Sequence, residues 1–583
     1  MINEICPRSE FPRPDFERAD WLSLNGEWDF QFDDANMGES EAWYREKEFS
    51  SKIIVPYCFQ SMLSGINDQS IHPYMWYKKE FKLPEKYLNK KKRILLNFGA
   101  VDYAAKVWIN DEHVGMHRGG YTPFKFEITR YLNNDLNIIV LKAEDKYECQ
   151  QPRGKQYWGE KPDRCWYTAT SGIWQSVWLE YIGEVYIERI KLTPDIDRRT
   201  LSTEVFLDGI NEDLDITIKI SYKGNHIKTV KTEVTERLLK ATIDLKEYDY
   251  VDEVHYWSPE APNLYDIDFL LQKCNQQVDF VKSYFGMRKI SVEGDLILLN
   301  NKLLYQKLVL DQGYWPDSLL TPPSDEAIVF DIEMTKKFGF NGARKHQKIE
   351  DPRYYYWADK LGLLVWGEMP SGYFYNDEEI TNIISEWTEF IYRDYNHPCI
   401  ITWVPLNESW GVRNILTDKG QQDFARMLYF LTKCLDGTRL VSSNDGWEQV
   451  VSDICGIHDY EPSGERFLKK YDNKNQLMKR AAERRLLYSQ GTEYDGQPIL
   501  ITEYGGIAFA DKEIENWGYY GCVRNENEFL ERYSKITNAV RNTQYICGYC
   551  YTQLTDVQQE VNGLMTFDRR PKLDFNIIHE INS

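Results

Sequence analysis

Two stretches of this chain run from an apolar strand into a glutamate. Ile400-Ile401-Thr402-Trp403-Val404 leads through Pro405-Leu406 to Asn407-Glu408-Ser409-Trp410. Pro498-Ile499-Leu500-Ile501-Thr502 leads into Glu503-Tyr504-Gly505-Gly506. A short apolar run bounded by turn residues reads as a buried strand. Two buried strands that each end in a carboxylate supply what cleavage of a glycosidic bond needs: an acid for the leaving oxygen and a nucleophile for the opposite face of the anomeric carbon. On this reading Glu408 is the acid, later the base, with its pKa raised by partial burial and by the other carboxylate. Glu503 is the ionised nucleophile. Arg344 holds Glu503 charged, Tyr460 donates a hydrogen bond to it, and Asn407 binds the sugar 2-hydroxyl. Taken singly, either glutamate also fits a structural acid at a strand end; the pair points to chemistry.

Other chemistries find no pattern. There is no Gly-x-Ser-x-Gly elbow for a nucleophilic serine. There is no phosphate-binding Gly-x-x-x-x-Gly-Lys loop and no dinucleotide fingerprint. His346 and His458 lack the His-x-x-x-His spacing of a helical zinc site, so neither a metal nor a cofactor is expected.

The rest of the chain must place those carboxylates. From about Arg288, buried strands alternate with amphipathic helices, the pattern of a parallel α/β fold. Strands are expected at Leu303–Leu310, Gly339–Arg344, Leu363–Trp366, Ile400–Pro405, Arg439–Ser443, Ile454–His458, Ile499–Thr502 and Tyr545–Tyr551. Helices are expected between most of them, among them Asp325–Phe338, Pro352–Leu361, Asp423–Leu435 and Glu526–Arg541. Such units over residues 290–583 predict a (β/α)8 TIM barrel with its function at the C-terminal strand ends. The thinnest connection is the fifth, where only a short segment follows Gly446. The expected strand ends carry Asp311, Arg344 and His346, Glu368, Asn407 and Glu408, Asn444 and Asp445, His458 to Tyr460, and Glu503. A ring of carboxylates, amides and aromatics suits a hydroxyl-rich substrate. His346 and His458 fit either sugar contacts or satisfied core histidines. Asp311 and Glu368 fit either substrate contacts or structural acids.

Upstream, residues 1–183 read as one all-β sandwich and residues 184–289 as a second, immunoglobulin-like one. Alternating segments such as Glu27–Phe32 and Met75–Phe81 mark the first, and Leu201–Leu207 and Phe280–Phe285 the second.

Composition narrows the partners. With 583 residues the chain is too long for one core, and 42% hydrophobic against 28% charged residues is globular. A net charge of -21 argues against nucleic acid and anionic membrane surfaces. No segment approaches a membrane span, and Met1–Asp20 has no apolar core of signal-peptide length. The 18 tryptophans and 40 tyrosines suit aromatic β cores or flat platforms for sugar rings. Trp158, Trp166 and Trp174 are expected in the core of the first domain. Trp410 and Trp447 are expected to pack, with either able to line a subsite. Eleven cysteines without regular spacing signal neither a disulfide framework nor zinc. Cys399, Cys455, Cys547 and Cys550 fall in apolar strands, where a reduced cysteine packs as a small hydrophobe. A reducing cytoplasm is the expected location.

Several motifs carry a resemblance. They are Leu24-Asn25-Gly26-Glu27-Trp28 near the start, Gly339-Phe340-Asn341-Gly342-Ala343-Arg344-Lys345-His346, and Asp359-Lys360-Leu361-Gly362-Leu363-Leu364-Val365-Trp366-Gly367-Glu368. Asn407-Glu408 and Thr502-Glu503-Tyr504-Gly505 follow in order. Along nearly its whole length the chain resembles glycoside hydrolase family 2, in which a jelly-roll sugar-binding domain and an immunoglobulin-like domain precede the barrel. The last two motifs resemble that family's acid/base and nucleophile. The resemblance implies a retaining mechanism with a glycosyl-enzyme intermediate and carboxyls roughly 5 Å apart. It also implies a glycoside or oligosaccharide substrate and is compatible with a homo-oligomer. Three places depart from the family. Arg344 and His346 are one residue closer than in its Asn-x-x-Arg-x-x-His region. The eighth strand reads Gly548-Tyr549-Cys550-Tyr551-Thr552-Gln553, without the usual tryptophan followed by an amide or acid. Asn562-Gly563-Leu564 lacks the lysine of the Asn-x-Lys pair with which the family's β-glucuronidases bind a carboxylate. That departure argues against a glucuronidase and leaves β-galactosidase-like activity in the lead on family frequency. Specificities for β-mannoside, β-galactofuranoside and α-L-arabinoside stay open, as does a carbohydrate-binding relative without turnover. The presence of both glutamates favours the enzyme.

Overall fold

The computed structural model describes residues 6–45, 47–88, 92–246, 254–478, 481–482, 485–509, 517–519 and 521–583. Its C-terminal part is a barrel of parallel strands: β1 (Gln306–Asp311), β2 (Gly342–Lys345), β3 (Leu364–Glu368), β4 (Ile400–Val404), β5 (Leu440–Val441), β6 (Cys455–His458), β7 (Ile499–Gly505) and β8 (Ile546–Thr552). They pair in the order β5-β4-β3-β2-β1-β8-β7-β6. From β2 to β8 every strand residue is buried. Strands covered on both faces read as continuous apolar runs rather than as alternation, which is why Ile400–Val404 stands out in the sequence. The outer layer is α1 (Asp325–Lys337), α2 (Pro352–Leu361), α3 (Asp377–Asp394), α4 (Lys419–Leu435), α5 (Gly464–Lys470), α6 (Glu526–Arg541) and α7 (Phe575–Asn582). Ser324, Asn376, Asp418 and Asn525 cap α1, α3, α4 and α6, each side chain accepting a backbone N–H of the first turn.

The first barrel strand starts later than the apolar pattern suggests. Lys302–Leu303 belongs instead to a small antiparallel sheet with Ile290–Glu293 and Leu296–Leu299. Asn300 and Asn301, at φ +53° and +62°, make the turn between the last two strands of that sheet, and Leu303 is left exposed. The thin fifth connection is also real. No helix separates β5 from β6, and no ladder joins them among the described residues. Hydrogen bonds from the connecting segment close the seam instead. Val441 N donates to Asp453 Oδ2 and Asp453 N to Val441 O, both at 2.9 Å. Gln449 Nε2 donates to Gly456 O at 2.9 Å.

The strand that leads to Glu408 is anchored by its tryptophan. Trp403 is fully buried, edge-on to Trp387 and Phe390 of α3, and its indole N–H donates to Asp436 at 2.8 Å. Truncating such a side chain costs about 3–5 kcal/mol.

Cys547 and Cys550 of β8 make a Cys-x-x-Cys spacing that the sequence reading passed over. On a strand, residues three apart face opposite sides, so the spacing builds no pair, and all eleven cysteines are unpaired. Among the described residues no helix is long and apolar enough to cross a membrane.

Two antiparallel sandwiches precede the barrel. In the first, a sheet ordered 21–23, 177–182, 93–98, 124–127 faces one ordered 51–55, 26–32, 74–82, 136–144, 104–109, 112–118. In the second, strands 186–195, 200–208 and 238–244 face strands 225–233, 214–222, 265–273 and 276–285. Trp174 is fully buried but packs with the barrel's hydrophobic cluster rather than in the core of the first sandwich, and Trp158 and Trp166 are only half-buried and lie at the barrel mouth. The two sandwiches are joined by one buried guanidinium. Arg18 donates to Asp279 at 3.0 and 2.9 Å and to Glu180 at 2.6 Å. Removing one partner of a buried ion cluster strands the remaining charges, at a cost of about 3–5 kcal/mol. Arg18→Met is therefore expected to lower the thermal unfolding midpoint clearly, and an unchanged midpoint would refute the clamp.

Candidate active site

Arg344, at the end of β2, is fully buried and organises the barrel mouth. Its Nε donates to Glu368 at 2.8 Å. Its Nη2 donates to Asn407 Oδ1 at 2.6 Å. Its Nη1 lies 3.0 Å from Thr502 O, 3.1 Å from Glu503 Oε1 and 2.9 Å from Asp445 Oδ2. One guanidinium thus ties together the ends of β3, β4 and β7 and the loop after β5. Glu503 is 3% exposed; its other oxygen accepts from Tyr460 Oη at 2.5 Å. Tyr460 is stacked on Tyr519 with ring centres 3.6 Å apart.

Hydrogen-bond direction fixes the amides and one histidine. Gln553 Nε2 donates to Asn562 Oδ1 at 2.7 Å, and Gln312 Nε2 to Gln553 Oε1 at 2.9 Å. Gln312 Oε1 then faces His346 Nδ1 at 3.0 Å, so that nitrogen carries the proton. His346 Nε2 is left to accept from Asn407 Nδ2 at 3.2 Å. His346 is neutral in this arrangement: burial, then the Lys155 and Arg344 charges, hold its pKa well below the ordinary value. Asn407 is oriented from both ends and keeps its second N–H for another acceptor.

Glu408 differs from the sequence expectation. A carboxylate oxygen of Glu408, one of Glu503 and a nitrogen of His458 lie within 4.8 Å of one another, close to the roughly 5 Å of a retaining pair. His458 stands between carboxylates, with Nδ1 2.7 Å from Glu408 and Nε2 2.9 Å from Asp445. Burial alone would push this imidazole down, but the Glu503 charge and the bonds to Asp445 and Glu408 push it up to about 10. His458 is therefore an imidazolium at neutral pH. Burial would raise Glu408; the hydrogen bond from His458 and its charge overcome that and hold Glu408 below the usual carboxylate range. The expectation of a raised pKa is corrected, because sequence shows the neighbouring acid but not the imidazolium between the two. Glu408 and Ser409 are also held at φ +53° and +56°. Left-handed backbone at non-glycine residues costs on the order of 1–3 kcal/mol. It is kept here by Glu408 N donating to Asp445 O at 2.9 Å and Ser409 N to Asn444 Oδ1 at 3.0 Å.

Two residues of the expected ring do not reach the glutamate pair. Asp311 is taken up by Lys345 Nζ and Gly313 N, both at 2.8 Å. Glu368 is fully buried behind Arg344 and accepts from Gln347 N at 3.0 Å. Burial raises it to about 7 despite the Arg344 charge. Other residues escaped the sequence reading because they come from the first sandwich or from the loop after β8. Arg153 N and Gly154 N donate to Ser371 O at 3.1 and 2.9 Å, which docks the 150–172 loop on the barrel. That loop brings Lys155, Trp158 and Trp166 to the mouth. Trp166 meets Trp410 edge-on at 5.4 Å, and Trp158 lies 4.8 Å from Tyr373. Trp410 also donates weakly to Glu408, at 3.3 Å. Trp447 packs edge-on to His458 at 5.6 Å. Glu560 lies in the loop after β8, and its only sequence signal was its place two residues before the departure at Asn562.

Comparison with known proteins agrees with this architecture. A curated β-galactosidase of Thermoanaerobacter pseudethanolicus is 27% identical over 534 residues, covering 84% of this chain and 66% of that protein. The chain thus spans about two thirds of that relative's length. A β-glucuronidase of Streptococcus agalactiae is 23% identical over 94% of both chains. The solved β-glucuronidase of Ruminococcus gnavus in complex with an N1-substituted uronic isofagomine superposes with a TM-score of 0.79 at 18% identity, covering 99% of this chain and 100% of the other. Models of the glycosyl hydrolases family 2 sugar binding domain, of glycosyl hydrolases family 2, and of the family 2 TIM barrel domain match residues 21–181, 185–288 and 290–582. With all three in order over nearly its full length, the chain belongs to glycoside hydrolase family 2.

Proposed function

We propose that the protein is a retaining exo-acting glycoside hydrolase that removes a terminal β-linked sugar, β-galactoside first among the candidates. The observation that carries the reading is the Glu408–Glu503 pair, with oxygens within 4.8 Å of each other at the ends of β4 and β7. Glu503 attacks the anomeric carbon, its charge maintained by Arg344 and Tyr460. Asn407 offers its free N–H to the 2-hydroxyl. The leaving oxygen takes its proton from the His458–Glu408 pair, which holds one on the imidazole and delivers it through Glu408. In the second half, the same pair accepts a proton from the water that cleaves the glycosyl-enzyme bond, and the anomeric configuration is restored. Relatives with β-galactosidase and β-glucuronidase names lie at similar identity. The missing lysine at Asn562-Gly563-Leu564 supports the galactoside side.

A screen of aryl glycosides (β-galactoside, β-glucuronide, β-mannoside, β-glucoside, β-galactofuranoside, α-L-arabinoside) identifies the sugar. Glu503→Gln is expected to abolish most turnover on whichever is cleaved. Glu408→Gln is expected to lower kcat/KM by about 10²–10⁴-fold on substrates with poor leaving groups. Full activity in either variant rejects the mechanism.

The proton store predicts a pH profile. A donor is lost as pH rises through the pKa of its protonated form, and the imidazole stands at about 10. The alkaline limb of kcat/KM should therefore lie well above neutrality. In His458→Gln the donor is the Glu408 carboxyl alone, and the limb should move down toward the carboxylate range. A limb that stays in place would remove His458 from proton delivery.

The three clustered donors can also be tested for a metal requirement. Each His458 nitrogen already faces a carboxylate, so activity should survive exhaustive chelation. Loss restored by a single divalent ion would overturn that.

A further inference from the structure

Glu408 has two oxygens, and one of them is committed. Oε1 lies 2.7 Å from His458 Nδ1, while Oε2 meets, among the described residues, the Trp410 indole N–H at 3.3 Å. A neutral hydrogen bond of that length is weak, so Oε2 is the oxygen open to the oxygen that leaves the terminal sugar. Whatever hangs from that leaving oxygen passes beside Trp410. The surroundings of Trp410 therefore belong to the unit that departs, and not to the sugar that stays on Glu503. Trp410 is half-buried in the aromatic wall. Trp166 and Tyr373 meet it edge-on, with ring centres 5.4 and 5.1 Å away, and Trp166 Nε1 donates to Tyr373 Oη at 2.7 Å. Its own face carries a cation: Arg413 Cζ lies 3.5 Å over the Trp410 ring centre. At that distance, the contact limit between carbon atoms, the planar guanidinium lies flat on the indole, because a large tilt would drive a nitrogen into the ring. Turns in the chain set up the pair. Trp410 N donates to Asn407 O at 3.0 Å and Val412 N to Ser409 O at 3.1 Å, and Gly411 between them takes φ +76°.

A guanidinium held flat points its N–H groups sideways in a rigid fork. The fork of Arg413 is unused. Among the described residues it makes no hydrogen bond and has no carboxylate within 4.0 Å, and the residue is exposed. Other cations at the mouth set it off. Arg485, 5.5 Å from the Trp447 ring centre, is neutralised by Glu448 at 3.0 Å. Lys155, 6.0 Å from the Trp166 ring centre, has no carboxylate within 4.0 Å among the described residues. Two adjoining rings of the wall, Trp166 and Trp410, thus each carry a cation without a counter-ion. Burial, then the Arg485 charge, lowers the pKa of Arg413, in keeping with that lack. Cation–π packing accounts for the stack itself, but not for an open fork beside the uncommitted oxygen of Glu408. The chemistry that fits such a fork is a carboxylate or a sulfate, which accepts two parallel hydrogen bonds from it. We propose that Arg413, stacked on Trp410, binds an anionic group on the leaving unit, a carboxylate or a sulfate ester, so that the terminal sugar is released preferentially from an acidic saccharide. This rests on the glycosidase reading above and concerns the leaving unit, not the terminal sugar.

The test uses the full chain as wild type, Arg413→Met and Arg413→Lys. The substrates are aryl glycosides of the cleaved sugar whose phenyl ring carries a carboxylate, a sulfonate or a neutral carboxamide at position 3 or 4. The quantity read is kcat/KM on each anionic aglycone divided by that on the carboxamide. Comparing this ratio between wild type and variant cancels leaving-group reactivity and any general effect on Glu408 through Trp410. Arg413→Met should lower the ratio by about 10-fold or more at low salt, the size of a charge-assisted hydrogen bond. Arg413→Lys should keep part of the preference, since it retains the charge but not the fork. Added salt should shrink the wild-type preference. Whichever anion suffers the larger fall in Arg413→Met distinguishes a uronate from a sulfate ester as the natural group. A fall under about 2-fold for both anions, no more than an incidental surface charge gives, overturns the proposal. Labelling of Glu503 by a fluorosugar with fluoride as its leaving group, and the unfolding midpoint, confirm a competent, folded site in each variant. No turnover and no labelling in wild type would overturn the glycosidase reading, and this proposal with it.

Discussion

The whole site depends on a cation placed where water cannot reach. Arg344 is fully buried, and removing a guanidinium from water costs several kcal/mol unless every donor finds a partner. Its donors and charge are met by Glu368, Asn407, Thr502 O, Glu503 and Asp445. Those partners come from different strand ends, so the cation is stable only when the ends of β3, β4 and β7 and the loop after β5 stand in one arrangement. That is preorganisation in its physical sense. The groups that must meet a developing charge are already fixed by a network that tolerates no half-formed state. It also explains why Glu368, which touches no reacting position, sits at the same depth: it fixes the guanidinium from behind.

The sandwiches are part of this logic. A barrel mouth alone presents strand-end residues, and most of those surround the glutamate pair. What lies further out comes from elsewhere: Lys155 and Trp166 from the first sandwich, Glu560 from the loop after β8. Trp166, Trp158, Tyr373 and Trp410 form one aromatic wall with contributions from both domains. Such a wall exists only if the sandwich is docked, and at the loop that carries Trp158 and Trp166 the docking includes backbone bonds at Arg153 and Gly154. A Cβ at Gly154 would fall 2.2 Å from Gln347 O, and its φ is +60°. Glycine is required at the point where the loop meets the barrel.

The sequence was most legible where one strand carries both its own burial and its own functional residue. Ile400–Val404 and Ile499–Thr502 announce themselves as buried strands, and their glutamates follow directly. Arg344, Asn407, His458 and Tyr460 were found for the same reason. Asp311 stays open between contact and structural acid in the sequence because a strand end says nothing about which neighbour takes the side chain; Lys345 takes it. Trp158 and Trp166 were misread as core because tryptophan in a β domain usually is. Lys155 and Glu560 were invisible, since a loop residue acquires meaning only from what the fold sets opposite it. The pKa of Glu408 was read in the wrong direction for a related reason. Sequence counts carboxylates, but the sign of the shift is decided by which face of His458 points at which acid.

That last point bears on how, in the proposed mechanism, one glutamate serves as both acid and base. A carboxyl kept protonated by a hydrophobic pocket becomes the base by giving its own proton to the leaving oxygen. Here the proton has a second seat 2.7 Å away, on an imidazole whose other nitrogen is pinned by Asp445. Moving the proton between those seats changes the charge of Glu408 without changing the charge of the pair. The surrounding network, Arg344 included, therefore sees no net change while the proton moves between those seats; in the proposed mechanism the pair's charge falls by one when the leaving oxygen takes the proton and is restored when water returns it. The left-handed backbone at Glu408 and Ser409 belongs to the same arrangement. It turns the side chain back from the strand axis toward His458, and the bonds to Asp445 O and Asn444 Oδ1 hold it there. Strain in two residues of the chain thus fixes the single distance on which the proton's transfer depends.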